Sequence, residues 1–591
     1  MFLPFLAKYI VMAQAIVCVS ALVLLSVVVL VAVDYIVSRF RLRPVRVRYD
    51  YDVIIVGGSI AGPAVAKALA AQNRQVLLLE RSLFTKPNRI VGELLQPGGV
   101  LALRELGMED CAVSVGMPCD GYVVVDEGGL CVQLPYATGH KGYSFHFGDF
   151  VNNLRENVWR TCGALVTMRE ATVNAVLVER VSPFVDRAYG VVFTADAEDI
   201  SRNRSFAGTY GARVEEDKSK LGEKVQCTAT SPLIIMCDGG SSKFKAMYQH
   251  YTPAATYHSN FIGLILRSVH LPRERHGTIF FAKTGPILSY RLDANELRVL
   301  IDYGKPSLPS VDEQSKWLIH EVAPSLAPEL RSEFIRAAED KSGIRSMPVA
   351  QYPPAFPSVR GYVGIGDHAN QRHPLTGGGM TCALNDAICL AERLSSIKRF
   401  RATEPAEMAA IEDEIQRAVV SYSRKRIKHS SSINILSWAL YDVFHSSSLR
   451  KACLEYFVLG GECITGPMAL LAGLSYSWLL LLLHYARVML NGALNILTRR
   501  DVTCGRDPEK PGLVMRCINT LTFGMTPSRV QNAFCMLFAS TCLVIPLAYM
   551  EFVSPWRLLE PTGLIAHHAK IIHTTIYRTF LSGRSRKPIG L

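Results

Sequence analysis

Residues 366–381, GDHANQRHPLTGGGMT, set an acidic residue at the end of a short apolar, glycine-punctuated run and a glycine triplet ten positions further on. The spacing predicts that Asp367 stands at the carboxyl end of a strand, where its carboxylate can bond a ribityl or ribose hydroxyl. Gly377, Gly378 and Gly379 carry no side chains, so backbone N–H groups opening a helix can approach a pyrophosphate or the edge of an isoalloxazine ring. An acid on a sugar hydroxyl and bare amides on an anion are what holding a flavin nucleotide requires.

Such a site needs strands and helices to carry it, and two further segments supply them. Residues 51–80, YDVIIVGGSIAGPAVAKALAAQNRQVLLLE, read as a buried strand, a glycine turn, a helix with an apolar stripe and a second strand ending in an acid. This is the first βαβ unit of a dinucleotide fold, with Gly57 at the tight turn, Gly62 where helix meets strand, and Glu80 placed for an adenosine ribose. Ser59 replaces the middle glycine of G-x-G-x-x-G. Residues 233–239, LIIMCDG, form another buried strand ending in an acid and a glycine. Three strand ends near 57, 238 and 367 resemble the pattern of the FAD-dependent aromatic hydroxylases, in which one cofactor spans discontinuous segments. No second G-x-G-x-x-G unit serves a nicotinamide nucleotide, so NADPH either binds without a motif or gives its electrons through a partner.

From about residue 51 to 467 the chain resembles the squalene epoxidases. The resemblance rests on NRIVGELLQPGG (88–99), LPY (134–136), CDGGSSKFK (237–245), GPILSY (285–290), IRSMPV (344–349), RHPLTGGGMT (372–381) and LGGECITGP (459–467). It implies an FAD-dependent monooxygenase that converts squalene to (S)-2,3-oxidosqualene in sterol synthesis through a flavin C4a-hydroperoxide. O2 and NADPH-derived electrons from an NADPH-cytochrome reductase would be consumed. The cofactor then does the bond making, and the protein must orient the alkene and exclude water. By the same resemblance FAD meets Ile60, Ala61, Glu80, Arg81 and Arg89, together with Leu94, Arg155, Val173, Asp367 and Met380. Arg89 and Arg155 suit a phosphate or ring edge. Leu288, Tyr290, Phe444 and Phe457 would wall the substrate pocket, with Tyr136 and Gln96 as a hydrogen-bonded pair at its end that positions the terminal alkene. Where the family has a second histidine after His146, this chain has Phe147. The rival readings are a flavin hydroxylase of another hydrophobic substrate, such as a quinone precursor, and a non-catalytic prenyl-binding escort on the same fold.

Composition agrees with a membrane-bound enzyme. The 591 residues are too many for one core, and 49% of them are hydrophobic. Residues 9–33 carry no charge, enough helix to cross a bilayer core of roughly 30 Å. Arg39, Arg41, Arg43, Arg46 and Arg48 follow that run while only Lys8 precedes it, which predicts a membrane anchor with everything beyond facing the cytoplasm; the family resemblance implies that the membrane is the endoplasmic reticulum. The 15 cysteines form no C-x-x-C pair and are expected to be reduced; no spacing suggests a metal site, and His567, His568 and His573 read as tail residues. A net charge of +13 fits membrane lipid better than nucleic acid, because no stacking aromatics interleave with the basic residues.

The predicted fold class is α/β: a discontinuous Rossmann-like FAD-binding domain (50–110, 140–250 and 345–430) and a β-sheet substrate domain (111–139 and 251–344). These lie between an N-terminal anchor and basic linker (1–49) and a C-terminal helical membrane-associated domain (431–591). Residues 198–224 read as a solvated loop within a β-meander. The uncharged stretch 463–486 and the apolar run 531–550 read as helices of a platform lying in one leaflet.

Overall fold

The computed structural model describes residues 48–498 apart from 91, 127–128, 183–184, 198–223, 246–255, 283, 306, 353, 355–356 and 446, and beyond them 530, 531, 533, 534, 537 and 551. The expected anchor, the loop at 198–223 and most of the run 531–550 lie outside these residues. The central strand Val53–Val56 is apolar throughout and fully buried, as a strand covered on both faces must be. It pairs in parallel with Val76–Glu80 on one side and Ile234–Met236 on the other, and Ile234–Met236 pairs in parallel with Tyr362–Gly364. Val166–Ser182 extends the sheet beyond Val76–Glu80, then bends through a register shift near Val173 and runs back antiparallel with Val185–Asp196 and Lys224–Thr230. Helices Ala61–Ala70, Phe147–Cys162, Gly379–Leu394 and Pro405–Lys425 pack on one face. The curled meander covers the other, through Val173, Val191 and Phe193.

A second seven-stranded sheet runs Arg345–Gln351, Thr256–Arg267, Glu296–Asp302, Gly285–Arg291, Gly277–Ala282, Gly121–Val125, Cys131–Pro135, all antiparallel except the pair Gly277–Ala282 with Gly121–Val125. The strand Arg345–Gln351 belongs here, although its sequence position put it with the cofactor segments; its partner is Thr256–Arg267. Period-two alternation sends Ile287 to one face and Leu288 and Tyr290 to the other. The Ile287 face carries helix Pro328–Glu339; the Leu288 face meets helices Ile427–His445, Ser447–Val458, Glu462–Leu471 and Trp478–Thr498 in one apolar cluster. The uncharged stretch 463–486 is broken at Gly473, whose φ of +67° ends the first of two helices. Glu462–Leu471, with 10 residues, is too short to cross a bilayer, whereas Trp478–Leu497 is long and apolar enough.

The two parts are tied by main chain. Gly98 N donates to Ala472 O at 2.8 Å, and a side chain at Gly98 would overlap the Gly473 carbonyl. Behind the glycine loop, the fully buried Asp386 accepts from Gly366 N (2.9 Å), Arg426 Nε (2.8 Å) and His429 Nε2 (2.7 Å). Burial alone would raise the Asp386 carboxyl, but the Arg426 charge, the hydrogen bond and charge of His429 and the Gly366 amide together outweigh it and leave it below the usual carboxylate range. We expect Asp386→Asn to cost about 3–5 kcal/mol, since it leaves Arg426 buried without its counter-charge. A carboxyl lowered on folding stabilises above its unfolded pKa and loses that contribution as pH falls through its folded value. The gap between parent and variant in chemical denaturation should therefore be widest near neutrality and narrow on acidification; a constant gap would show that Asp386 is not the ionised partner.

Candidate active site

The three strand ends meet at a cavity of about 890 Å³ that runs from the parallel sheet to the second sheet. Gly57 has φ +107° and a Cβ there would stand 2.5 Å from the Cys237 carbonyl, so only glycine lets the ends of the strands Val53–Val56 and Ile234–Met236 close up. A Cβ at Gly62 would overlap the Gly57 carbonyl oxygen, which is why the helix can lie so near the turn. Glu80 ends its strand as the sequence predicts and accepts from Gly58 N at 2.7 Å and Ser82 N at 3.1 Å. Asp367 reaches the same cavity from the turn Gly366–His368, facing Gly379 at the start of helix Gly379–Leu394. Ile60, Ala61 and Met380 line the floor between them, and Val173 closes the side. Gly62 lies behind this surface. A bare-amide turn, two carboxylates and a helix N-terminus around one space fit a flavin dinucleotide.

The cations sort differently from expectation. Arg155 lines the cavity, but it is 2% exposed and donates through Nε to Gly58 O (2.6 Å) and through Nη1 to the carbonyls of Ser82, Leu83 and Thr85. Through Nε and Nη1 it holds two cavity loops together while it lines the cavity. Arg81 and Arg89 are exposed at the rim, and Arg89 sits over the Phe147 ring at 5.6 Å. Phe147, at the position where a histidine was noted as missing, is thus an apolar floor for that arginine and packs against Gly92.

The far wall comes from the second sheet. Leu288 and Tyr290 face the cavity with Phe261, Leu300 and Met347, and Leu94 closes on them from the cofactor side. Tyr136 donates to Gln96 Oε1 at 2.6 Å, and Gln96 Nε2 donates in turn to Tyr122 Oη (2.7 Å) and Thr376 O (3.0 Å). Tyr136, Gln96, Phe444 and Phe457 belong to or border the same apolar cluster, yet they stand behind the cavity wall rather than on it. Phe444 packs edge-to-face on Phe281, ring centres 4.8 Å apart, and closes the cluster toward the C-terminal helices.

Sequence reasoning missed five participants. Tyr122, on the strand Gly121–Val125, completes the Gln96 hub. Glu93 and Arg298, 1% and 5% exposed, form a bidentate pair at 2.8 and 2.9 Å beside Tyr290. His368 bonds Asp238 Oδ1 at 2.7 Å, joining the second and third strand ends, and Lys245, lowered by burial to about 8, lies 3.6 Å over the Tyr352 ring. Glu93 sits inside the RIVGE motif, Lys245 ends CDGGSSKFK and His368 follows Asp367; those were the signals available. On the outer flank His146 Nε2 comes within 3.5 Å of Asp293 and 3.4 Å of Glu296, a partly exposed group that pairs electrostatically when the histidine is protonated.

A charge-assisted bond from the Asp367 carboxylate to a cofactor sugar hydroxyl would be worth about 1.5–3 kcal/mol, which alanine at this position would remove. The purified variant should lose most of its flavin absorbance, as should Gly57→Ala, which cannot close the turn. Full flavin content in both would refute this placement of the cofactor.

The family model of squalene epoxidases matches residues 230–505. Squalene epoxidase 3 of Arabidopsis thaliana is 35% identical over 76% of this chain and 79% of its own length. Squalene epoxidase erg1 of Schizosaccharomyces pombe is 34% identical over 75% and 90%, and squalene monooxygenase of Mus musculus 32% over 85% and 78%. Among solved structures, p-nitrophenol 4-monooxygenase PnpA from Pseudomonas putida superposes with a TM-score of 0.53 at 16% identity, over 73% of this chain and 99% of that one. HpxO from Klebsiella pneumoniae, solved with FAD and uric acid, gives 0.51 at 19% identity over 72% and 98%. At such identities these last two likenesses are of fold alone. With 32–35% of the aligned residues identical to those of plant, yeast and mouse relatives, over 75% or more of both lengths, this chain belongs to the squalene epoxidase family.

Proposed function

We propose that the protein is an FAD-dependent squalene epoxidase that makes (S)-2,3-oxidosqualene for sterol synthesis. The observation that carries this beyond family membership is the continuity of the cavity: a cradle of glycine amides and carboxylates opens directly onto an apolar wall of Leu288, Tyr290, Phe261 and Leu300. When bound, the flavin supplies the two-electron chemistry that activates O2. The chain supplies position. Asp367 and Glu80 hold sugar hydroxyls, and the amides after Gly377 face the anionic end of the cofactor. The second sheet aligns the alkene and keeps water out. The phenol on the wall, Tyr290, is already bound to Glu93, and Tyr136 behind the wall is bound to Gln96, so neither hydroxyl is offered to a phenolic or quinone-like substrate. A prenyl-binding escort would have no use for the cradle.

Substrate supply sets the architecture of the C-terminal part in this reading. Squalene has thirty carbons and no polar atom, so at about 0.8 kcal/mol per buried CH2 its transfer out of water is worth on the order of 20 kcal/mol. It must arrive through lipid. Leu479, Leu483, Leu490 and Leu494 are 45–65% exposed at helical spacing on Trp478–Thr498, and Val458 and Leu459 extend the patch. This apolar surface supports a platform seated in one leaflet of the endoplasmic reticulum membrane, next to the cluster that contains Phe444. Electrons would come from NADPH through an NADPH-cytochrome reductase, because the sequence has no second dinucleotide unit.

Purified full-length protein given squalene, NADPH and the reductase should form the epoxide, detected by mass spectrometry; product from NADPH alone at the same rate would remove the reductase from the scheme, and no product under either condition would overturn the activity. Deleting residues 1–45 should preserve epoxidation per bound flavin in liposomes, whereas deleting 460–591 should abolish it. The opposite ranking would refute entry through the C-terminal platform.

A further inference from the structure

An ion pair is an unexpected component of a wall meant for a hydrocarbon. Glu93 and Arg298 are nearly free of solvent contact, and Glu93 is itself part of the cavity surface. Burying a carboxylate and a guanidinium is costly even when they are paired, and apolar residues of similar volume would often be as stable. Burial alone would lower Arg298, but its hydrogen bonds to Glu93, the Glu93 charge and smaller contributions from Tyr290 and Glu296 together outweigh it and leave the guanidinium raised.

The pair has a third member. Tyr290 Oη donates to Glu93 Oε2 at 3.1 Å, the same oxygen that accepts from Arg298 Nε. Tyr290 is 6% exposed, and its ring faces the cavity beside Leu288. Its hydroxyl is therefore turned into the ion pair. Glu93 is fixed from its other side by main chain, since Phe145 N donates to Glu93 O at 2.8 Å and the next residue, Leu94, pairs with Ser144. The carboxylate thus stands between the cofactor side of the cavity, where Leu94 lies, and the substrate wall, where Tyr290 lies.

We infer that Glu93 and Arg298 are positioning residues for epoxidation: through Glu93 they hold the Tyr290 ring at a set place in the wall, with its hydroxyl withdrawn from the hydrocarbon. Ionisation gives the hold its strength, because a charged acceptor binds a phenol more tightly than a neutral one. Released from Glu93, the phenol would offer its donor to the cavity, where squalene has no acceptor but water does. Water at that point competes with the alkene for the activated oxygen and diverts it to hydrogen peroxide.

The inference rests on the epoxidase reading, and the experiment separates the two. If the parent protein forms no epoxide with squalene, NADPH and reductase, the activity assignment fails; the positioning role is judged only against an active parent. Tyr290→Phe cuts the link to Glu93 and leaves the ion pair intact. With unchanged flavin content it should raise KM for squalene about fivefold, the equivalent of one ordinary hydrogen bond, while kcat changes less; peroxide formed per NADPH oxidised should stay at the parental level, because phenylalanine brings no donor to the cavity. The double variant Glu93→Gln with Arg298→Met removes both charges at once and leaves no uncompensated ion; it keeps the phenol but loosens its hold, so it should raise both KM and peroxide. A purely structural pair predicts lower melting temperatures for the double variant with KM and coupling unchanged. Tyr290→Phe with parental KM, or the double variant with parental peroxide, overturns the proposal.

Discussion

The structure depends on how closely three strand ends can approach one another. Gly57 touches the Cys237 carbonyl, Gly62 touches Gly57, and the turn at Gly366 is held from behind by Asp386. These contacts are between backbones, so their spacing is set by the chain itself rather than by side-chain packing. A cofactor cradle built this way has amides pointing into it without rearrangement. The cost of such closeness is borne by the buried groups behind it, the Asp386, Arg426 and His429 network and the Asp238 to His368 bond. They compensate charges that would otherwise be stranded in a low-dielectric interior.

The segment 92–99 is the second organising element. Within eight residues it supplies a positive-φ glycine against Phe147, a buried carboxylate, a cavity-lining leucine, the Gln96 hub and the glycine that meets the C-terminal helices. Cofactor side, substrate wall and helical platform all touch it. It is short because a longer connection would have to bury more unpaired backbone between the two sheets.

Much of the cofactor side was legible in the sequence because its signals are local. Strand, glycine and acid fall within a few residues of each other at 57, 238 and 367, and the structure places all three ends together. What depended on distant partners was not legible. Glu93 and Arg298 are 205 positions apart, and a single sequence gives no reason to join them. Arg155 reads as a cofactor cation because charge is visible in a sequence, whereas the carbonyls of residues 58, 82, 83 and 85 that accept from its Nε and Nη1 are not. The strand Arg345–Gln351 was set on the wrong side of a boundary for the same reason, since strand pairing is a long-range fact. A lone Gly473 inside an uncharged stretch gave too little contrast to reveal that one apolar run is two helices.

The junction between Gly98 and Gly473 has a consequence for how this architecture can vary. A contact of main chain on main chain has no side chain to trim or enlarge, so neither position can drift by small substitutions. Divergence is pushed into the layers behind it, and the turn at residues 96–99 and the helices after residue 460 must be inherited as a matched set. A chimera that exchanged those helices between two relatives would keep its seam only by taking the turn along with them.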